Sequence, residues 1–449
     1  MGPAGHLRGV VVTARRVAFD VLREVTGDGA YANLALAKRL ATAGLDARDA
    51  SFVTELVAGT CRLLGTYDRV IEAASGRRIK TFQPAVLDLL RLLSHQALSM
   101  SVPSRAAVAT TVDLARSTVG PRVTGLVNAV GRRICDRTLE EWTTLIASDE
   151  DAMGSLAIRH HHPRWIAEAY GDLLPDQELP EALEANNLAP RPTLVVRPGL
   201  ATVEELAPAE ATRWSPFGAT LDGVPAGIPA VREGRAGVQD EGSQLVALAL
   251  TRVTAPKGPW LDLCAGPGGK AALLAGLAAA EGTSLVANEV APHRAALVEQ
   301  AVAGLPDGSI TVTCTDGRRP EGLAPLGPFA RIMVDAPCSG LGALRRRPES
   351  RWRRRPEDLD ELLPLQSELL DAAVSLCAEG GVVAYVTCSP HRAETREIVE
   401  AATERHPVEV LDAPALLPEV PEIAEGRFVQ FWPHRHGTDG MFLALLRRR

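Results

Sequence analysis

No stretch of the 449 residues is long and apolar enough to span a bilayer, so a helical membrane protein is set aside. The N-terminus has no apolar core followed by a small-residue cleavage site, and a secreted protein is not expected. None of the seven cysteines forms a Cys-x-x-Cys pair, and five of them fall between Cys264 and Cys388. A disulfide framework or a zinc ribbon would space them differently, so reduced thiols in the cytoplasm are the expectation. His160-His161-His162 has no acid or cysteine at ligand spacing, and Pro163 interrupts the helix, so no metal site is expected. No internal repeat is evident.

What is present divides by charge. The net charge of −7 conceals a basic stretch: residues 1–145 carry 19 Lys and Arg against 13 Asp and Glu, while the remainder is acidic. Phosphate binding depends on local clusters of cations rather than on the total, so this balance is compatible with an RNA partner. The length exceeds one ordinary core and predicts several domains. Over 10–145 apolar residues recur at helical spacing, as in Val17, Val21, Leu22 and Val25, which predicts an all-α bundle for 1–145. Residues 146–237 read as a helical connector and a small α+β module, with Pro and Gly dense among short strands such as 193–197. From 238 to 449 apolar strands (260–264, 284–288, 310–314, 330–335, 382–387) alternate with amphipathic helices (270–280, 292–303, 359–378, 392–405). That is the signature of an α/β doubly wound, Rossmann-like sheet.

Three segments of this last region carry chemistry. Leu261-Asp262-Leu263-Cys264-Ala265-Gly266-Pro267-Gly268-Gly269-Lys270 is a glycine-rich turn between a strand and a helix. Its glycines let backbone N–H groups approach a ligand, but the spacing is not that of a dinucleotide fingerprint. Glu289, Asp316 and Asp335 close the next three strands. Acids at successive strand ends repel phosphate and suit the sulfonium of S-adenosyl-L-methionine. Cys338, in Asp335-Ala336-Pro337-Cys338-Ser339-Gly340, and Cys388, in Val386-Thr387-Cys388-Ser389-Pro390, both follow buried-strand patterns. A thiolate adds to C6 of a pyrimidine and makes C5 nucleophilic enough to take a methyl group. N3 must then gain a proton or a hydrogen bond, for which Asp335 is the nearest candidate and Lys270 the second.

At 261–270, 335–340 and 386–390 the chain resembles the Nol1/Nop2/Sun family of RNA cytosine-5 methyltransferases. Its first 145 residues resemble a NusB-like RNA-binding domain, at Arg15-Arg16-Val17-Ala18-Phe19-Asp20-Val21-Leu22 and Asp49-Ala50-Ser51-Phe52-Val53. The resemblance implies a class I methyltransferase domain at 238–449 that uses S-adenosyl-L-methionine on a cytosine of small-subunit (16S) ribosomal RNA. It implies that Cys388 attacks and Cys338 assists release. Cys264, Ala265, Gly266, Pro267, Gly268, Gly269, Lys270, Glu289, Asp316 and Asp335 would hold the cofactor. RNA rather than DNA, no membrane, and a monomer are the corresponding partner expectations. Two departures stand out: Gly266 occupies a position where the family commonly has alanine, and Glu394-Thr395 stands where Glu-Asn is frequent.

Seven arginines fall within 345–355, around Trp352. Guanidinium groups pair with phosphates and stack on bases, so Arg345, Arg346, Arg347, Arg351, Arg353 and Arg354 are expected to grip RNA beside the thiols. Other readings stay open: a transfer RNA target, or an RNA-binding assembly or antitermination factor with a retired catalytic site. Intact Lys270, Asp335, Cys338 and Cys388 argue against the latter. Small-molecule methylation leaves the helical domain without a purpose.

Overall fold

The computed structural model describes residues 13–449. Residues 1–12, on which the expectation about secretion rests, lie outside the described residues. Two compact units are present: residues up to Glu168 together with Arg346–Arg353, and Ala169–Arg345 together with Arg354–Arg449.

The first unit is helical: α1 Ala14–Gly27, α2 Ala32–Ala43, α3 Ala47–Arg62, α4 Leu64–Ser75, α5 Pro84–Leu98, α6 Ser104–Thr118, α7 Thr124–Ile134, α8 Leu139–Ile146 and α9 Ala152–Arg159. Side-chain caps start several of them. Thr13 accepts from Arg16 N, Asp46 from Asp49 N and Asp151 from Gly154 N, and Thr138 with Glu141 forms a capping box. α5 is buried on every side from Val86 to Gln96, so its polar residues need partners inside the protein. Asp88 accepts from Arg23, Thr26 and Arg91, and Arg91 makes two further bonds to Asp68.

Arg346–Arg353 belongs to this helical unit although its neighbours in the chain do not. The Trp352 indole N–H donates to the Arg62 carbonyl at 2.9 Å, and the ring lies where a Cβ on Gly65 would stand 2.2 Å from it. Arg351 is fully buried and donates to the carbonyls of His161 (2.9 Å) and Arg62 (3.4 Å). Arg353 donates to the carbonyls of Val25, Gly29 and Ala30, where α1 ends. In the other unit, Arg345 is buried and donates to Gly437 O. The expectation that all six arginines face RNA is therefore corrected for the buried Arg345 and Arg351, while Arg353 is half-buried with its guanidinium on these carbonyls. Helix-end and loop carbonyls need donors, and these guanidinium groups supply them. Arg346 and Arg347 are exposed, the latter over the Tyr31 ring, and Arg354 is partly exposed beside Asp358.

The second unit opens with a small antiparallel sheet of β1 Thr193–Val196, β2 Glu210–Ala211, β3 Gly218–Thr220 and β4 Ala236–Val238, in the order β2-β3-β1-β4. A nine-stranded sheet follows: β5 Trp260–Asp262, β6 Leu285–Asn288, β7 Ile310–Thr313, β8 Phe329–Asp335, β9 Cys377–Thr387, β10 Val408–Val410, β11 Ala424–Glu425, β12 Phe428–Gln430 and β13 Phe442–Arg448. Its order is β11-β12-β13-β9-β8-β5-β6-β7, with β10 on β13. β7, β6, β5, β8 and β9 run parallel, and β13 returns antiparallel to β9. Alternate strand residues face opposite layers. Trp260, Met333, Ala384 and Leu443 pack with the helices Glu241–Thr251, Gly269–Ala280 and Pro292–Val302. Leu261, Ile332, Val383 and Phe442 pack with Leu359–Leu376 and Arg396–Arg405.

The strands expected from the sequence form to within two residues at each end, except for β9. β9 begins at Cys377, where a helix was expected to run to 378. Register runs from Phe329↔Cys377 to Arg331↔Val382, a bulge that contains Gly380 at φ +71°. The chain leaves β5 toward β6 and β7 and later returns to β8 on the other side. The β5/β8 boundary is thus the switch point, where ligands of such sheets bind at the carboxyl ends of the strands.

Candidate active site

Cys338 follows β8 and Cys388 follows β9, the two strands being paired through Asp335↔Val386. Adjacent parallel strands deliver both thiols to one edge of the sheet, with their Sγ atoms 3.4 Å apart. Beside them, Lys270 Nζ donates to Asp335 Oδ2 at 2.8 Å. Lys270 lies on the first turn of Gly269–Ala280, directly after the glycine-rich turn. The candidates Lys270, Asp335, Cys338 and Cys388 are thus brought together.

The electrostatics separate the two thiols. Cys338 is held protonated well above an ordinary thiol, first by its hydrogen bond with Cys388, then by burial and by the charges of Cys388, Glu394 and Asp335. The Lys270 ammonium loses solvation on burial, but the charges of Asp335 and Cys388 more than offset this and raise its proton affinity. The favoured arrangement therefore keeps the proton on Cys338 and a cation at Lys270 beside Cys388. Cys264 is different in kind: burial first, and then Asp262, Asp335 and Glu289, push its thiol well above the usual range. Cys61 and Cys377, both pushed up to about 12 mainly by burial, are inert for the same reason.

The cofactor candidates surround the carboxyl ends of β5, β6 and β7. Glu289 is buried and accepts from Gly266 N and Ala291 N, both at 3.1 Å. A Cβ at Gly266 would stand 2.3 Å from a Glu289 carboxylate oxygen and 2.9 Å from Arg294 Nε, so glycine leaves room for this arrangement of the two side chains. Gly268, at φ +110°, lies so close to Pro292–Val302 that a Cβ would meet Ala301 at 2.6 Å. Asp316 lies three residues beyond β7 rather than at its end. Arg318 takes both carboxylate oxygens, at 3.0 and 2.7 Å, and holds the group below the usual range.

Two polar residues of this region were not singled out by their sequence pattern. Asn288 accepts from Thr313, Thr315 N and Thr315 Oγ1 and donates to Leu263 O and Thr315 O, which ties β5, β6 and β7 together at their ends. Asp262 is 1% exposed, and neither of its carboxylate oxygens has a hydrogen-bond partner of normal geometry. Burial first, then the Asp335 charge, raises its carboxyl to about 7, against the opposing effect of Lys270. The only sequence signal for either was a polar residue inside an otherwise apolar strand.

The donor set fits S-adenosyl-L-methionine. An unpartnered buried carboxylate at Asp262 suits an ammonium group, the 265–269 backbone suits a carboxylate, and Glu289 retains lone pairs for hydroxyls. The cations at the turn are engaged within the protein: Lys270 donates to Asp335 and Arg294 to Gly266 O.

Comparison with known proteins agrees. Residues 249–447 match the family model for 16S rRNA methyltransferase RsmB/F, and residues 12–136 match the NusB family. The Mycobacterium tuberculosis protein MT1451 is 49% identical, over 97% of this chain and 96% of its own length. The ribosomal RNA small subunit methyltransferase B of Vibrio cholerae is 31% identical over 98% and 99%. The crystal structure of PH0851 shares the fold, with a TM-score of 0.81 at 23% identity over 98% and 99%. With thiols, cofactor turn and both domains accounted for, the chain belongs to the RsmB/F family of S-adenosylmethionine-dependent rRNA cytosine-5 methyltransferases, preceded by a NusB-family domain.

Proposed function

We propose that the chain methylates C5 of a cytosine in small-subunit ribosomal RNA, with Cys388 as nucleophile and Cys338 as its acid–base partner. The observation that carries this reading is the 3.4 Å separation of the two thiols beside the Lys270–Asp335 pair. The Cys388 thiolate adds to C6, and the displaced electron pair reaches N3. Lys270, the proton-bearing member of its pair with Asp335, faces that developing charge. C5 is then nucleophilic, and bound S-adenosyl-L-methionine supplies the methyl group it takes.

Release follows from the same geometry. While Cys388 is a thiolate, it is the main reason Cys338 keeps its proton. Once that electron pair is committed to the C6–S bond, the interaction ends and Cys338 gives its proton to solvent. It then accepts the C5 proton, and the electrons of the C5–H bond expel Cys388 from C6. One thiol pair thereby serves first as nucleophile with donor, then as leaving group with base.

The NusB-family domain carries the basic balance and supplies RNA affinity. The protein acts as a monomer in the cytoplasm and on RNA rather than DNA, a setting in which seven cysteines outside any disulfide persist. No helix among the described residues is long and apolar enough to cross a membrane. The test is bisulfite mapping of 16S ribosomal and transfer RNA from a deletion strain, with complementation by the wild type and by Cys388→Ala. Loss of one 16S 5-methylcytosine, restored by the wild type alone, is expected. Loss confined to transfer RNA would overturn the ribosomal target, and no loss at all would overturn the reaction.

A further inference from the structure

Both catalytic cysteines are followed by serine, and the two serines meet: Ser339 Oγ and Ser389 Oγ are 3.0 Å apart and fully buried. Beneath them lies Glu394, also fully buried, in the 3-10 turn Arg392–Glu394 that precedes Arg396–Arg405. Its carboxylate is engaged on every side. Oε1 accepts from Ser339 N (2.7 Å) and from Gln366 Nε2 (3.0 Å), and Oε2 accepts from Ser339 Oγ. Gln366 Nε2 also donates to Pro337 O at 2.8 Å, so the residue on each side of Cys338 is anchored to one cluster. The Tyr385 hydroxyl donates to Glu394 O, tying β9 to the same point, and Gly342 N donates to Cys388 O across the loops.

We propose that Glu394 is a positioning residue, which sets the separation of the two thiols by clamping the Cys338 loop to the Cys388 loop through Ser339. The two bonds from Ser339 to the Glu394 carboxylate are short, buried and charge-assisted, and they end on the residue next to Cys338 rather than on the cysteine itself. Backbone anchors at 337 and 339 leave the intervening Cys338 little freedom. The departure at Thr395 fits the same design, because its hydroxyl donates to His391 O and Arg392 O and steadies the turn that presents Glu394. A buried anion here also opposes loss of the Cys338 proton in the resting enzyme.

This assignment rests on the proposed two-thiol reaction, and its test includes a readout that does not need methylation. Diamide oxidises two thiols to a disulfide and is itself reduced to the hydrazine, so the rate of Cys338–Cys388 cross-linking reports how close the thiols stay. The full-length protein would be compared with Glu394→Ala, Ser339→Ala and Glu394→Gln. The side-chain amide in Glu394→Gln can still accept from Ser339 N and Gln366 and can donate to Ser339 Oγ, which keeps the clamp without its charge. Cross-linking is expected to slow markedly in Glu394→Ala and Ser339→Ala and to stay near wild type in Glu394→Gln. The kcat of the first two should fall by about a hundredfold, with KM and affinity for S-adenosylmethionine unchanged. Glu394→Gln should retain most activity, with the alkaline limb of its pH profile moved to lower pH. Wild-type cross-linking in both Glu394→Ala and Ser339→Ala would overturn the positioning role. So would a loss of activity that tracks loss of cofactor affinity. A wild-type protein that cross-links but methylates no cytosine would instead overturn the reaction while leaving the clamp standing.

Discussion

Cys338 Sγ lies 3.4 Å from Cys388 Sγ although fifty residues separate the two in the chain. The helix Leu359–Leu376 lies within that interval and returns the chain to the strand beside the one it left. At this distance the hydrogen bond with Cys388 keeps the proton on Cys338, so the two sulfurs are unequal before any substrate arrives.

Cys388→Ala should abolish methyl transfer while leaving affinity for S-adenosylmethionine unchanged, because the thiol faces cytosine. Cys338→Ala should still form the C6 adduct but break it slowly, so a covalent protein–RNA species should accumulate on denaturing gels. Substantial turnover by the first variant, or no trapped species with the second, would reverse or remove these roles.

Asp262 predicts an unusual pH dependence of stability. Its folded-state carboxyl, raised to about 7, lies above the ordinary value of an unfolded aspartate. The folded state therefore binds the extra proton, and the stability this confers is lost as pH rises from about 4 to about 7. Asp262→Asn should be more stable than wild type by on the order of 2–4 kcal/mol above pH 7 in protein free of S-adenosylmethionine. The difference should fade toward pH 4. Denaturant unfolding across that range measures it, and a pH-independent difference would mean that ionisation of Asp262 is not the cause.

Arg351 and Arg353 are predicted to act on folding. Arg351→Ala removes a buried guanidinium from two carbonyls and should lower the stability of the helical unit by roughly 2–4 kcal/mol. The salt dependence of RNA binding should not change. Calorimetry and filter binding read the two effects separately, and an intact melting transition with a shallower salt slope would restore these residues to the RNA surface.

The helical unit carries exposed basic residues that are predicted to meet RNA. Arg77, Arg78 and Lys80, between α4 and α5, are exposed, as is Arg132 on α7, whose neighbour Arg133 donates to Ala74 O at the end of α4. Reversing the charges at 77, 78 and 80 should reduce the slope of log affinity against log salt by about 2–3, close to 0.9 for each phosphate no longer neutralised. An unchanged slope would assign the domain to protein docking.

The local pattern was enough for whatever depends on periodicity and neighbours. Alternating apolar strands and amphipathic helices specify the doubly wound sheet, and glycines between β5 and the next helix specify a ligand turn. Once β8 and β9 are adjacent, Cys338 and Cys388 at their ends must meet. The arginine cluster shows where that reasoning stops. Seven arginines in eleven positions look the same whether they face phosphate or carbonyl oxygen, and the carbonyls that Arg351 and Arg353 meet belong to residues roughly 190 to 330 positions away in the chain. Asp262, Asn288 and Glu394 are similar cases. A polar residue within an apolar strand or at a helix start carries no mark of burial. Only tertiary packing removed the water around these groups, and with it the weakness of their interactions, so that the Asp262 carboxyl is raised by burial and Glu394 gathers the hydrogen bonds beside Cys338.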